Sequence, residues 1–448
     1  MPFLPRTSFP FSPNTPSWFA GHMARSLREL PPLLENINLV IEARDARLPL
    51  TSINPIFDGV LRRWKARAKV EGERERIVVY TKRDLAETRF EGPLARAFVQ
   101  NGSQKIMFAD TRKNSDVSHI LRYAVDLAQK SVPFSPTYSI LVLGMPNVGK
   151  SSLLNALRRV GLRKGKAFQT GALAGVTKKL TGTVRIYEEP QVYVYDTPGV
   201  MMPYLGKGEE GGEKGLKLAL TAGIKEDLFE LDAISDYLLW KLNRRYVSEP
   251  SLPSYLSSLP LPPSFEPTDH LPTLLSALSN RLAAKQKGGE EDWESVMRWF
   301  VRAWREGKMG EWTLDELVPY RPVEVLLPHE VDNMRLGGET VDLPVAGVPE
   351  RQMSQGELDT HVNQTVTAYL STLSSSTSLE NPASVSQQRK ISKSQRLQEK
   401  DAKLRGKGIN VKRREEWQPG GVVSGGKRKG MSVKSTMGAA GRAVRRRG

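Results

Sequence analysis

The chain contains no cysteine. That excludes disulfides, thiolate metal sites and cysteine nucleophiles, and it suits a reducing or redox-indifferent compartment. Histidine is scarce as well. His22, His119, His270, His329 and His361 are scattered, so spacing gives no histidine metal cluster. No apolar run approaches the ~20 residues of a membrane span, so no transmembrane segment is expected. Acid is missing from the start of the chain, where Glu29 is the first. It is sparse at the other end, where residues 385–448 hold 19 Lys and Arg against 4 Asp and Glu.

That tail accounts for most of the formal net charge of +17. The other residues carry a surplus of only 2, so the protein reads as a nearly neutral body with a basic, disordered tail. A segregated basic block points to nucleic acid or an anionic membrane surface. Residues 1–17 contain five prolines, which oppose the amphipathic helix of a mitochondrial presequence. This extension is expected to be either a targeting segment or a plain disordered terminus.

Strand-length apolar runs at 37–43, 77–80, 105–108 and 138–143 alternate with helical patterns at 23–34, 55–64, 93–100 and 115–129. Two more strands, 183–187 and 192–195, follow a helix at 150–160. The alternation predicts an α/β fold with a doubly wound, mostly parallel sheet. A glycine- and charge-rich loop is expected at 206–215, then helices near 232–246, 270–285 and 292–305 around a Pro/Ser-rich loop at 248–267. The expected division is an extension at 1–17, a nucleotide-binding domain at 18–214, a helical domain at 215–319, an ambiguous polar segment at 320–384 and the tail at 385–448.

Residues 144–151 match G-x-x-x-x-G-K-[ST], between a predicted strand and a predicted helix, as the phosphate-binding loop requires. Gly144 and Gly149 let backbone amides close on phosphate, with Asn147 and Val148 in the loop between them. Lys150 reaches the β- and γ-phosphates, and Ser151 ligates Mg²⁺, with Ser152 beside it in the first turn. Asp196-Thr197-Pro198-Gly199 ends the strand at 192–195. A carboxylate there holds Mg²⁺, and the Gly199 amide meets the γ-phosphate. Between these motifs, Gly171 to Thr177 is a flexible segment whose Thr177 hydroxyl is the candidate Mg²⁺ ligand in the triphosphate state.

Thr81-Lys82-Arg83-Asp84 closes the strand at 77–80 and resembles the [NT]-K-x-D guanine-recognition motif. One carboxylate, Asp84, can accept both the N1 proton and the 2-amino group of guanine, which adenine does not offer as a pair. The Lys82 stem can lie over the base. Thr81 stands where Asn is commoner. Ala109, after the next strand, lies where a backbone amide meets the guanine oxygen. Base recognition thus precedes the phosphate loop, the reverse of the Ras-like order, which makes the domain a circular permutation.

These motifs in this order resemble the YlqF/RbgA-type circularly permuted GTPases, nearest their mitochondrial branch. Trp18-Phe19-Ala20-Gly21-His22-Met23 resembles the family's W-F-P-G-H-M, with Ala20 where Pro is usual. Gly307-Lys308-Met309-Gly310 with Leu314-Asp315 resembles a late motif of its helical domain. The resemblance covers about residues 17–317. It implies GTP hydrolysis coupled to late assembly of the mitochondrial large ribosomal subunit, with rRNA contact and peripheral association with the matrix side of the inner membrane. It implies Mg²⁺, a K⁺ ion at Asn147, and a role for His22 on the ribosome. The family lacks a catalytic glutamine after D-x-x-G, and Val200 and Met201 agree. Slow intrinsic hydrolysis that needs ribosome and potassium is therefore expected. Two alternatives stand beside this: a nuclear or cytosolic permuted GTPase, given Lys427-Arg428-Lys429 and the arginines at 445–447, and a non-enzymatic RNA-binding scaffold.

Overall fold

The computed structural model describes residues 3–12, 21–68, 73–102, 104–131, 137–168, 183–200, 205–206, 208–224, 228–249, 252–286, 288–319, 353–378 and Arg396. The chain divides into one unit at Met1–Pro382 and a second at Ala383–Gly448. The first unit holds the sheet and all the helices that pack on it.

Six strands form one sheet in the order β3-β2-β1-β4-β6-β5. They are β1 (Leu39–Asp45), β2 (Glu75–Thr81), β3 (Lys105–Ala109), β4 (Thr137–Gly144), β5 (Val184–Tyr187) and β6 (Gln191–Asp196). All neighbours run parallel except β5, which is antiparallel to β6. This is the doubly wound α/β sheet that the alternation predicts. β1 begins two residues later than expected, because the Ile37 amide still donates to Leu34 O at 3.2 Å and closes the preceding helix.

Strand residues alternate between two apolar faces, as a period of two requires. Leu39, Ile41, Ile77, Val79, Ile140 and Val142 face one core, with α4 (Asn114–Ser131) and α5 (Lys150–Leu162). Val40, Leu141 and Leu143 face the other, with α1 (Gly21–Leu34) and α2 (Pro55–Lys65). On that same side Val78 and Tyr80 pack with α3 (Glu91–Gln100). Burial on both faces explains the near-continuous apolar runs.

The loop expected at 206–215 is instead mostly α6 (Gly208–Leu220), which also crosses the expected boundary at 214. Each helical glycine costs about 1 kcal/mol against alanine, but close packing explains their presence. A Cβ at Gly211 would meet Gly206 O at 2.4 Å, and one at Gly215 would meet the Phe229 ring at 2.6 Å. Helices α7 (Leu231–Ser248), α8 (Tyr255–Ser258), α9 (Leu271–Leu282) and α10 (Trp293–Arg305) come next in the chain. Their buried residues continue the core on the α4–α5 side of the sheet.

Two further expectations change. Residues 3–12 are packed, not a disordered terminus. Phe9 is buried against Tyr237 and Trp240, and the Arg6 guanidinium pairs with Asp236 at 2.7 Å. The polar segment at 320–384 contains α11 (Gln355–Ser378), which lies on α3. Its few apolar residues recur at helical spacing, so Leu358, Val362 and Val366 are buried while Asp359 pairs with Arg96 at 2.6 Å. The weak overall apolar content hid this stripe. Among the described residues no helix is long and apolar enough to cross a membrane.

Candidate nucleotide site

The carboxyl ends of the parallel strands gather the predicted residues along one edge, where open α/β sheets bind ligands. Register aligns Asp45 with Thr81 and Thr81 with Ala109, and it sets Gly144 beside Ala43 and Asp196 beside Val142. Motifs far apart in sequence therefore share one rim.

The phosphate loop leaves β4 at Gly144, whose φ of 151° and contact with Ala43 exclude a side chain, since a Cβ would lie 2.4 Å from Ala43 O. Asn147 and Gly149 are left-handed, at φ 55° and 88°. Lys150 opens α5 and is buried, with its ammonium donating to Met145 O at 2.8 Å. Burial lowers its pKa to about 8 despite the attraction of Asp196. Ser151 Oγ donates to Asp196 Oδ2 at 2.7 Å. The other carboxylate oxygen, Asp196 Oδ1, is buried with no hydrogen-bond partner among the described residues. Burial raises the Asp196 pKa, offset in part by Ser151 and Lys150.

An orphaned buried acceptor is costly unless a ligand satisfies it. A hydroxyl, a carboxylate with an unused oxygen and a buried lysine fit a Mg²⁺–phosphate group. Among the described residues no set of three or more His, Asp or Glu could hold a metal alone. Magnesium is ordinarily held by one or two protein groups plus phosphate oxygens, so this donor set suits it.

Gly199 lies against the phosphate loop so closely that a Cβ would sit 2.6 Å from Pro146 Cα. Val200 is buried among apolar residues, with its amide on Gly144 O at 3.2 Å. Thr177 and Met201 lie outside the described residues. His22 falls in the first turn of α1, and its side chain is outside the description. Ser152 follows Ser151 in the first turn of α5.

At the base end, Thr81 Oγ1 is within hydrogen-bonding reach of the carbonyls of Val148 and Arg44. It ties β2 to the phosphate loop, so its hydroxyl helps position that loop. Lys82 is left-handed, and its ammonium pairs with Asp45 at 2.8 Å. Asp84 sits in the following turn and pairs with the exposed Arg112. Burial, then Asp110, raise the Asp84 pKa, while Arg112 lowers it. The Asp110 amide donates to Asp116 Oδ2 at 3.0 Å, which fixes the loop after Ala109.

Sequence reasoning passed over Asp45 and Arg47. The buried Asp45 carboxylate takes both the Arg47 guanidinium, at 2.8 Å, and Lys82. Burial opposes its charge, but Arg47 and Lys82 overrule that and hold its pKa well below the usual range. An acid ending a β-strand and an arginine just beyond it, in Asp45-Ala46-Arg47, were the available signal. The late motif is a brace. Leu314 N donates to Arg47 O at 2.9 Å, Trp312 N donates to Leu85 O at 2.9 Å, and Asp315 accepts from Leu50 and Thr51. Asn147 reaches the end of α6, donating to Thr221 O at 3.3 Å, and Arg305 of α10 donates to Leu220 O at 2.7 Å.

A phosphate loop, the strand-end carboxylate of Asp196 and the Thr81-Lys82-Arg83-Asp84 motif share one rim of the sheet, and that motif precedes the phosphate loop in the chain; together they define a circularly permuted P-loop GTPase fold. The family model described as 50S ribosome-binding GTPase matches residues 139–243, beginning in the strand that feeds the phosphate loop. Mitochondrial ribosome-associated GTPase 1 of Xenopus tropicalis is 33% identical over 333 residues, covering 70% of this chain and 99% of that protein. Mitochondrial GTPase 1 of Schizosaccharomyces pombe is 32% identical over 338 residues, covering 71% of this chain and 94% of that protein. The solved structure of GNP-bound YlqF from T. maritima aligns at 19% identity and a TM-score of 0.39, covering 64% of this chain and 95% of that one. The chain belongs to the mitochondrial ribosome-associated GTPase 1 family.

Proposed function

We propose that this protein hydrolyses GTP as an assembly factor for the mitochondrial large ribosomal subunit, contacting its rRNA, at the matrix side of the inner membrane. The observation that carries the switch is the Asn147–Thr221 bond, which joins the phosphate loop to the end of α6. A change at the phosphates reaches the helical segment through that contact and through the chain after Gly199.

GTP and Mg²⁺ are the ligands the site fits. Bound Mg²⁺ would neutralise developing charge on the phosphates. Ser151 and Asp196 would hold it, with Thr177 as the third candidate. Lys150 supplies a buried cation to the phosphates, and Asp84 reads the base. Val200 is apolar and cannot orient water, so intrinsic hydrolysis is slow and the partner supplies the rest. Potassium at Asn147 is part of this proposal. The bond to Thr221 uses the amide nitrogen, and the amide oxygen is the atom an ion would take. His22 is the candidate that acts once the ribosome is bound.

The test is cosedimentation with mitochondrial large subunits in GDP and in a non-hydrolysable GTP analogue, with phosphate release measured in K⁺ and Na⁺. Binding favoured by the triphosphate, and K⁺- and subunit-dependent release that a Lys150→Ala variant lacks, is the expected result. Equal binding in both nucleotides would remove the switch, and no release under any condition would leave a scaffold. Imaging of the tagged chain separates mitochondrial from nuclear or cytosolic placement.

A further inference from the structure

The nearly neutral body hides an uneven charge. Residues 127–187 contain no Asp or Glu but ten Lys and Arg. Half of those cations fall between Arg158 and Lys166, at the end of α5 and in the loop beyond it. This loop is built, not slack. Arg163 caps α5 in the left-handed conformation at φ 55°. The buried Asn155 then holds the loop's far end. Its Oδ1 accepts from Ala167 N and Phe168 N at 3.0 Å each, and its Nδ2 donates to Phe168 O at 2.9 Å. Phe168 is buried beneath it.

Pinned at both ends, the loop exposes Arg163, Lys164 and Lys166. None of the three makes an ion pair or side-chain hydrogen bond among the described residues. A Cβ at Gly165 would meet nothing within 4 Å, so the loop stands clear of its neighbours. One helical turn back, Arg159 is held by Asn114 Oδ1 at 3.2 Å and Thr111 O at 2.9 Å. That ties the patch to the loop beside the base site, where Arg112 meets Asp84.

We propose that Arg163, Lys164 and Lys166, with Arg159, form an RNA-phosphate docking surface on the GTPase body, distinct from the basic tail. A cluster of exposed cations without acidic partners among the described residues, held in fixed geometry, suits a polyanion, which releases counterions as each cation meets a phosphate. A membrane surface is the poorer match. Interfacial binding adds apolar insertion to charge, and the exposed large apolar residues among those described, Leu4, Val99, Leu252 and Trp293, all lie elsewhere in the chain. RNA held here would sit beside the loop that carries Thr111 and Arg112, next to Asp84, so it is placed to sense the nucleotide. This surface rests on the proposed rRNA binding.

The test compares the full chain, a chain ending at Ala383, and an Arg163→Ala/Lys164→Ala/Lys166→Ala variant of each. Each is titrated with transcribed mitochondrial large-subunit rRNA over a salt series, and with equimolar phosphatidylcholine–cardiolipin vesicles. GTP affinity unchanged in the variant shows that the fold is intact. Expected is at least about tenfold weaker rRNA binding and a salt slope lower by about 2 in the variant, with or without the tail. Equal affinity and slope, while the full chain still binds rRNA, overturns the docking surface and leaves the wider function standing. Loss on vesicles but not on rRNA overturns it in favour of a membrane contact. No rRNA or subunit binding by the full chain overturns the functional reading itself.

Discussion

Asp315 is the clearest place to test whether the late motif is structural. Its buried carboxylate accepts from Leu50 N and Thr51 N at 2.8 Å each and from Thr51 Oγ1 at 2.6 Å, and it pairs with Lys217 Nζ at 3.3 Å. Asp315→Ala strips two buried amides and a hydroxyl of their acceptor. Each unsatisfied group costs about 1–3 kcal/mol, and loss of one partner of a buried ion pair costs about 3–5. These overlap and do not simply add. Lys217 also keeps Glu213 at 3.2 Å. A net loss of about 4 kcal/mol is expected, a large part of a typical stability of about 5–15 kcal/mol. Asp315→Asn keeps one acceptor oxygen and should lose about half as much. Urea unfolding of the full chain reads both. A loss under about 1 kcal/mol for Asp315→Ala would refute the bracing role. So would an unchanged midpoint with hydrolysis abolished, which would move Asp315 into the chemistry.

Thr81→Val should weaken GDP and GTP alike by about tenfold, the worth of roughly one buried hydrogen bond, with guanine preference intact. Asp84→Asn should instead erode preference for GTP over ATP by about a hundredfold or more, as read by competition against a fluorescent nucleotide. Lys150→Ala should cut phosphate release by at least about a hundredfold in single-turnover assays. Gly199→Ala forces a Cβ to 2.6 Å from Pro146 Cα, so GTP affinity should fall more than GDP affinity in calorimetry. Glu42 supplies a pH test. Burial opposes its charge, but Arg44 and Arg76 overrule that and lower its pKa to about 2 from 4.5. Its contribution, on the order of 3 kcal/mol, is full above pH 4.5 and lost as pH falls through 2. Glu42→Gln should therefore be less stable than wild type at neutral pH, with the gap narrowing between pH 4.5 and 2 in unfolding midpoints.

The strands, the alternation that makes the sheet parallel, and the phosphate loop are legible in the amino-acid order alone. Those rest on local patterns: apolar runs of strand length, and glycines where backbone must approach phosphate. The motif order, hence the permutation, is legible there as well. Which residues share an edge is not. Asp45 and Arg47 join the site only because register sets β1 beside β2. Thr81 reads locally as part of the guanine motif, and only the fold shows that its hydroxyl meets Val148, 67 positions away. Gly211 and Gly215 read as loop because their glycines are unfavourable in an isolated helix, and tertiary contacts reverse that balance. Helix α11 was hidden for a related reason. A sparse apolar stripe has no meaning until α3 is there to cover it. Local propensity and period act within a few residues, whereas pairing, burial and electrostatic partnership depend on neighbours that only the folded chain supplies.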